Sequence, residues 1–195
     1  MKLSPTRDAV RKRIRALPRK VEEMALMVRQ RDADAMILAW RSGMVNRTFR
    51  LTPLKPATVD AKRRKGYAMP SVPLYGLGME GPWTYIKALR KYRVTGGWEV
   101  RVPASRHHSS SLTLDKLLEV HEYGAVIRSK GGRTFRIPPR PLFTKAYEYV
   151  TRNIKDDSEQ VLKAAWELIE DGKSQTLLKI RANAHKMEAM IGAGR

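Results

Sequence analysis

The chain has 195 residues, of which 42% are hydrophobic, so it can bury a core either as one domain with appendages or as two small domains. It contains no cysteine, which excludes a disulfide framework and a thiolate metal site. Its 39 basic and 19 acidic residues give a net charge of +20, which favours a polyanionic partner, either a nucleic acid or an acidic protein surface.

The positive charge is carried by the first three quarters of the chain. Residues 146–195 contain eight basic and eight acidic side chains and are therefore neutral. No segment approaches the roughly 20 apolar residues that span a bilayer, and the N-terminus lacks the apolar core of a signal peptide. We expect a soluble protein that is made in the cytoplasm and does not contact a membrane.

The first 50 residues are predicted to form basic helices. Ser4 as a cap and Pro5 as the first helical residue begin a short helix that Pro18 interrupts, and helical spacing of apolar residues predicts a long second helix from Lys20. The first helix carries a basic cluster that either contacts a polyanion or is a solvated face. Its residues are Arg11, Lys12, Arg13 and Arg15.

The next segment is predicted to be a short helix, a loop, a further helix and a hairpin. The short helix runs over 58–65 and ends at Gly66, and it carries a second candidate polyanion contact. The members of that contact are Lys62, Arg63, Arg64 and Lys65. Residues 67–82 are predicted to be a loop, and a helix is predicted to begin at Gly81. The hairpin pairs 92–94 with 98–102.

The stretch over 112–150 carries the clearest local signals. An apolar-periodic helix over 112–123 is predicted to end at Gly124, because glycine adopts a positive φ without a Cβ clash. Two β-prone segments, 125–128 and 134–137, flank paired glycines and predict a second hairpin. The two hairpins together predict a small antiparallel sheet of about four strands, and the fold class is therefore α+β.

Residues 137–141, which we call the proline elbow, follow this hairpin. Pro138, Pro139 and Pro141 fix φ and remove three backbone donors, so the chain is held stiff and extended around Arg140. A helix is predicted to begin at Pro141 and to carry Phe143. Strand, elbow and helix then form one mechanical unit; the alternative is an ordinary proline-rich loop. The partner of the Arg140 guanidinium lies either within the fold or on an adjacent subunit.

Two amphipathic helices are predicted at the C-terminus, one capped by Asp157 and Ser158 and ended by Gly172, the other beginning at Ser174. They are predicted to form a helical hairpin whose apolar stripe is core or a subunit contact. The chain is thus divided into a basic helical region at 1–50, an α+β core domain at 51–150 and a helical hairpin at 151–195.

The motifs of common catalytic and cofactor sites are absent from the sequence. His107 and His108 are adjacent and cannot both point one way on a regular element, and His121 lacks the second histidine of the zinc-protease pattern. No phosphate-binding or dinucleotide-binding glycine pattern occurs. We therefore expect no metal, no cofactor and no enzymatic activity, with a hydrolase of unspecified type as the weakest alternative.

The run HEYGAVI, the hairpin and the run IPPRPLFTKAYEYV resemble the phage virion morphogenesis and tail-completion proteins, in which a His-x-x-Gly segment precedes Ile-Pro-x-Arg-Pro-Phe and a helix. The matching positions are His121, Gly124, Ile137, Pro138, Arg140 and Pro141, whereas Leu142 places the aromatic Phe143 one residue later. An earlier segment, LTPLKPATVDAKRRKG, is similar to the family's Pro-Leu-x-x-x-Thr-x-x-x-Lys segment through Pro53, Leu54, Thr58 and Lys62.

The resemblance covers about 49–150 and implies a structural virion protein. It implies a tail-completion or neck protein that forms a ring at the head-tail junction of a tailed phage, most simply a hexamer. Its partners would be copies of itself and the neighbouring neck, connector or tail-tube proteins, with DNA as a further candidate. The alternative from the residues alone is a basic nucleic-acid-binding module, for which the sequence contains no recognised motif.

Overall fold

The computed structural model describes residues 6–45, 49–67, 70–71, 88–105, 112–128, 131–152 and 154–193. The first helix is its longest element. Within these ranges there are six helices and four strands. They are α1 (Arg7–Val45), α2 (Pro56–Arg64), β1 (Arg90–Val94), β2 (Gly97–Arg101), α3 (Leu114–Tyr123), β3 (Ala125–Arg128), β4 (Thr134–Ile137), α4 (Leu142–Thr151), α5 (Ile154–Glu170) and α6 (Gln175–Ala193).

The two helices predicted within the first 50 residues are one continuous helix, and the predicted interruption at Pro18 was wrong. Pro18 lies inside α1 although a proline in a helix interior costs about 3 kcal/mol. Leu17, Val21 and Met24, on either side of the proline, pack into the same apolar core. Burial of these side chains offsets the cost of the proline, since the fully buried Met24 contributes roughly 1.5 to 3 kcal/mol and the partly buried Leu17 and Val21 add smaller amounts.

The chain is α+β, as predicted, but its four described strands do not form one sheet. β1 pairs with β2 and β3 pairs with β4, which gives two separate two-stranded sheets. In the second hairpin Ala125 lies opposite Ile137 and Ile127 lies opposite Phe135. Each pairing is local and needs only a tight turn, whereas a four-stranded sheet would also require a long-range pairing across α3. The sequence contains the turn signals but does not specify that longer pairing.

The chain divides into two compact units, and the first comprises residues 1–35, 93–99 and 150–195. Met24 and Val28 of α1 pack there against Ala164 and Ala165 of α5 and against Leu177 and Ile180 of α6. The α6 helix begins at Gln175, one residue after the predicted start, and Ser174 is its N-cap, whose Oγ accepts a hydrogen bond of 2.9 Å from the Leu177 N–H. The core of this unit is therefore formed by three helices.

The second unit comprises residues 36–92 and 100–149. Trp40 of α1 is fully buried, and its ring meets that of Phe143 edge-to-face, with centroids 6.5 Å apart. Leu89, Leu114 and Leu142 are buried as well. This unit contains α2, α3, the β3–β4 hairpin, the proline elbow and α4.

Some sequence predictions lie outside the described residues. They are the N-terminal cap at Ser4 and Pro5, most of the loop at 67–82, the helix from Gly81, and the adjacent histidines His107 and His108. The division into regions at 1–50, 51–150 and 151–195 stays a prediction. None of the helices in the described ranges is long and apolar enough to cross a bilayer.

Candidate functional site: the proline elbow

The elbow joins β4 to α4 and is packed closely against the end of α3. Gly124 follows α3 with φ of +77°, a conformation that L side chains rarely adopt. A Cβ at this position would lie 2.8 Å from the Ile137 carbonyl oxygen and 3.1 Å from the Pro139 nitrogen. Glycine is therefore required here for two reasons, the backbone conformation and the proximity of the elbow.

The α4 helix begins one residue later than predicted. Leu142 is its first residue, and the Lys145 N–H donates to the carbonyl oxygen of Pro141 at 3.3 Å. Pro141 is thus the N-cap residue and has no side-chain oxygen with which to cap the helix. The free N–H groups of the first turn of α4 must therefore be bound by an acceptor from another part of the chain.

Glu122 is that acceptor, and sequence reasoning did not identify it. Its side chain is buried, and its two carboxylate oxygens accept hydrogen bonds from the backbone N–H groups of Phe143 at 3.0 Å and Thr144 at 2.7 Å. The negative charge also faces the positive end of the α4 dipole. A signal was present in the sequence, since a helix that begins after Pro141 without a Ser, Thr, Asp or Asn cap needs an acidic residue elsewhere.

Arg140 is the central residue of the elbow and is only 6% exposed. Its backbone N–H donates to the carbonyl oxygen of His121 at 2.5 Å, and its Nε donates to the carbonyl oxygen of Thr52 at 2.9 Å. The Thr52 hydroxyl donates in return to the Pro139 carbonyl at 3.2 Å. One guanidinium nitrogen, Nε, therefore has its partner within the fold, and that partner is a backbone carbonyl.

Burial of the Arg140 charge affects the neighbouring ionisable groups. Burial, and then repulsion from the Arg140 guanidinium, lower the pKa of His121 to about 4, so this imidazole is neutral at neutral pH. The same two causes lower the pKa of Lys62, whose ammonium lies 5.2 Å from the centroid of the Tyr67 ring. Burial lowers the pKa of Arg140 itself. The elbow is consequently a region of positive potential within the second unit.

Lys145 and Phe143 connect α4 to the polypeptide that precedes α2. The Lys145 ammonium donates to the Phe49 carbonyl at 2.7 Å, while Phe143 packs on Trp40 of α1. The bond from Arg140 to Thr52 and the bond from Lys145 to Phe49 thus attach residues 49–52 to the elbow and to the helix that follows it. The elbow is therefore an integral part of the second unit's packing.

The predicted polyanion contacts have different environments. Arg11, Lys12 and Arg15 are exposed on α1, but Arg13 is half-buried and donates to the carbonyl oxygens of Ile169 at 3.1 Å and Glu170 at 2.6 Å. Arg13 thus caps the C-terminal end of α5 and interacts favourably with its dipole. In the second cluster Arg63, Arg64 and Lys65 are exposed, and Arg63 forms an ion pair with Asp60 at 3.3 Å.

Among the residues that the structure describes, no group of three or more His, Cys, Asp or Glu side chains is placed to hold a metal ion.

Comparison of the whole chain with protein-family models, with curated proteins and with solved structures gave no match. The residues of the elbow and their contacts are thus the basis for a functional hypothesis.

Proposed function

We propose that this chain is a structural virion protein of a tailed phage, of the tail-completion or neck type, which forms a ring at the head-tail junction. It assembles in the host cytoplasm and resides in the virion. Its role is geometric: the elbow sets the direction in which the β3–β4 hairpin leaves α4, and the hairpin contacts a neighbouring subunit. The neighbouring neck, connector or tail-tube proteins contact its helices.

One observation carries this proposal. The two segments that resemble the tail-completion proteins are separated by more than fifty residues in the sequence, yet they meet in the structure through the reciprocal bonds of Thr52 with Arg140 and Pro139. Within the second segment, Gly124 and His121 contact the elbow at the positions that the resemblance uses. The matched positions His121 and Gly124 of the second segment therefore share one physical function, which is to hold the elbow, and the first segment is bonded to it through Thr52, the neighbour of the matched Pro53.

The mass of the intact assembly tests the proposal. We expect the purified protein, or the protein within phage particles, to form a closed cyclic oligomer, most simply a hexamer, because a head-to-tail contact that closes gives a ring. Native mass spectrometry and electron micrographs measure the number of subunits. A protein that is strictly monomeric at every concentration and within the particle would contradict the proposal.

A basic nucleic-acid-binding module is the second candidate, and the exposed cluster on α1 favours it. We expect the triple variant Arg11→Gln, Lys12→Gln and Arg15→Gln to reduce the slope of log affinity for duplex DNA against log salt by about 0.9 for each phosphate contact that is lost. The matched control replaces three exposed lysines of the neutral segment, Lys173, Lys179 and Lys186, with glutamine. If both variants bind DNA as the original chain does, α1 is only a solvated face.

A further inference from the structure

The β3–β4 hairpin presents large apolar side chains to solvent. Ile127 and Phe135 lie opposite each other in the register and are 46% and 55% exposed, and Val126 is 67% exposed. A cross-strand pair of this kind stabilises a sheet when a further layer covers it. A two-stranded hairpin is only marginally stable in water, so this apolar pair is suited to a contact with another surface.

The hairpin also carries positive charge without compensating acidic residues. Arg128 follows Ile127 in β3, and Arg133 and Arg136 lie on either side of Phe135 in the sequence; all three are exposed. No aspartate or glutamate occurs between residues 125 and 137. Arg128 and Arg136 alternate with Ile127 and Phe135 along the strands and so belong to the other face of the hairpin, and an arginine side chain is long enough to reach past the edge of a two-stranded sheet. The surface that fits this hairpin is therefore apolar at its centre and acidic at its border.

The outer face of α5 is apolar at its centre and acidic at its border. Ala164 and Ala165 are buried in the core of the first unit, whereas Leu162 and Trp166, one turn apart on the opposite face, are 69% and 61% exposed. Three exposed acidic residues border this pair at helical spacing, and one exposed lysine, Lys163, lies beside it. The acidic residues are Asp156, Glu159 and Glu170.

We propose that the β3–β4 hairpin of one copy packs on the outer face of α5 of a second copy, with Phe135 against Leu162 and Trp166. The hairpin arginines then lie near Glu159 and Glu170, so the contact is complementary both in apolar area and in charge. Every copy contains both surfaces, and the contact is head-to-tail, so repetition of it closes a ring or extends a filament. This inference rests on the proposed ring and identifies the surfaces that form it.

The absence of cysteine from the chain permits a crosslinking test without background. Variants Phe135→Cys and Trp166→Cys are purified separately, mixed and oxidised, so that a disulfide between the two positions can form only between copies. We expect a crosslinked dimer in this mixture whose disulfide is assigned by peptide mass mapping to positions 135 and 166, and no such dimer when either variant is oxidised alone. The matched control replaces Phe135→Cys with Tyr147→Cys, a substitution at an aromatic residue of α4 that is 56% exposed, and we expect no crosslinked dimer between positions 147 and 166.

Charge reversal provides a second measurement. We expect the pair Arg133→Glu and Arg136→Glu, and separately the pair Glu159→Lys and Glu170→Lys, to raise the protein concentration needed for assembly at least about tenfold, because each places like charges across the contact. Copies that carry all four changes should assemble at the original concentration, because opposite charges again face each other across the contact. Salt should weaken assembly of the original chain.

The outcomes separate this inference from the proposed ring when intact mass is measured on the same samples. Closed rings without a crosslink between positions 135 and 166, or rings that are insensitive to both charge reversals, overturn the hairpin contact and leave the ring proposal standing. Open filaments with the crosslink support the contact and contradict the ring. Monomers in all samples and in the particle overturn both.

Discussion

Substitution of Arg140 by lysine keeps the positive charge of the elbow but removes the planar guanidinium that is bonded within it. The Nε–H of Arg140 donates to the Thr52 carbonyl at 2.9 Å in a site where the side chain is only 6% exposed. An ammonium is a more strongly hydrated point charge than a guanidinium, and burial disfavours it more. The Thr52 carbonyl would lose a well-placed donor, and the charge beside His121 and Lys62 would be less well stabilised.

The structure sets the size of the effect. A hydrogen bond to a charged group contributes about 1.5 to 3 kcal/mol, and the greater cost of burying an ammonium adds to its loss, whereas Thr52 is exposed and its carbonyl can bind water instead. Loss of one member of a buried ion pair would cost about 3 to 5 kcal/mol, but the Thr52 carbonyl is neutral, so the smaller figures apply. We expect Arg140→Lys to lower the free energy of unfolding by about 2 to 4 kcal/mol.

Urea denaturation at neutral pH, followed by circular dichroism and by tryptophan fluorescence, measures this loss. The matched control is Arg152→Lys, at an exposed position immediately after α4, which we expect to change the free energy of unfolding by less than about 0.5 kcal/mol. An Arg140→Lys variant that is as stable as this control would refute the reasoning that the elbow depends on the guanidinium. In phage, we expect a lower particle yield from the Arg140→Lys variant than from the Arg152→Lys variant.

Three further predictions concern the surroundings of the elbow. Glu122→Ala should lower the free energy of unfolding by about 1 to 3 kcal/mol because two N–H groups of α4 lose their acceptor, with Glu122→Gln intermediate in the same urea assay. Gly124→Ala should destabilise the chain more than Gly132→Ala does. Both glycines have a positive φ, but of the two only Gly124 has atoms within 4 Å of the added Cβ. Equal denaturation midpoints for the two variants would contradict this prediction. Between pH 6.5 and about pH 4 the unfolded chain binds a proton at His121, whereas the folded chain does not. The free energy of unfolding should therefore fall by up to roughly 3 kcal/mol as the pH is lowered through this window. In the His121→Asn variant the free energy of unfolding should change less with pH.

The elements that could be predicted from the sequence are those with local causes. Gly124 ends α3, a hairpin follows it, and three prolines separate β4 from α4, because each of these features depends on the backbone preferences of one to four consecutive residues. Ser174 caps the start of α6 for the same reason. The predicted cap of α5 at Asp157 and Ser158 was wrong, because that helix begins at Ile154 and both residues lie within it.

The features that could not be predicted depend on distant parts of the chain. Pro18 stays within α1 because packing on both sides compensates for it, and propensity alone contains no information on that packing. Arg13 binds carbonyls at the end of α5, more than 150 residues away, and Glu122 binds the first turn of α4 across the hairpin. The pairing of four strands in two sheets rather than one is also decided by tertiary context.

Some of the basic side chains that make up the net charge of +20 are bonded within the fold and cannot contact a partner. Arg13 and Arg140 both donate to backbone carbonyls, which are neutral acceptors, so each side chain is fixed in place while its positive charge is retained. Such charges contribute to the long-range field that attracts an anionic partner, but they are not available to contact it directly. The groups that can contact an anionic partner directly are the exposed ones, namely the rest of the α1 cluster, the end of α2 and the hairpin arginines. Since the hairpin has a complementary acidic surface on the same chain, its arginines are better suited to a second copy, and α1 and α2 are the faces that a polyanion would contact.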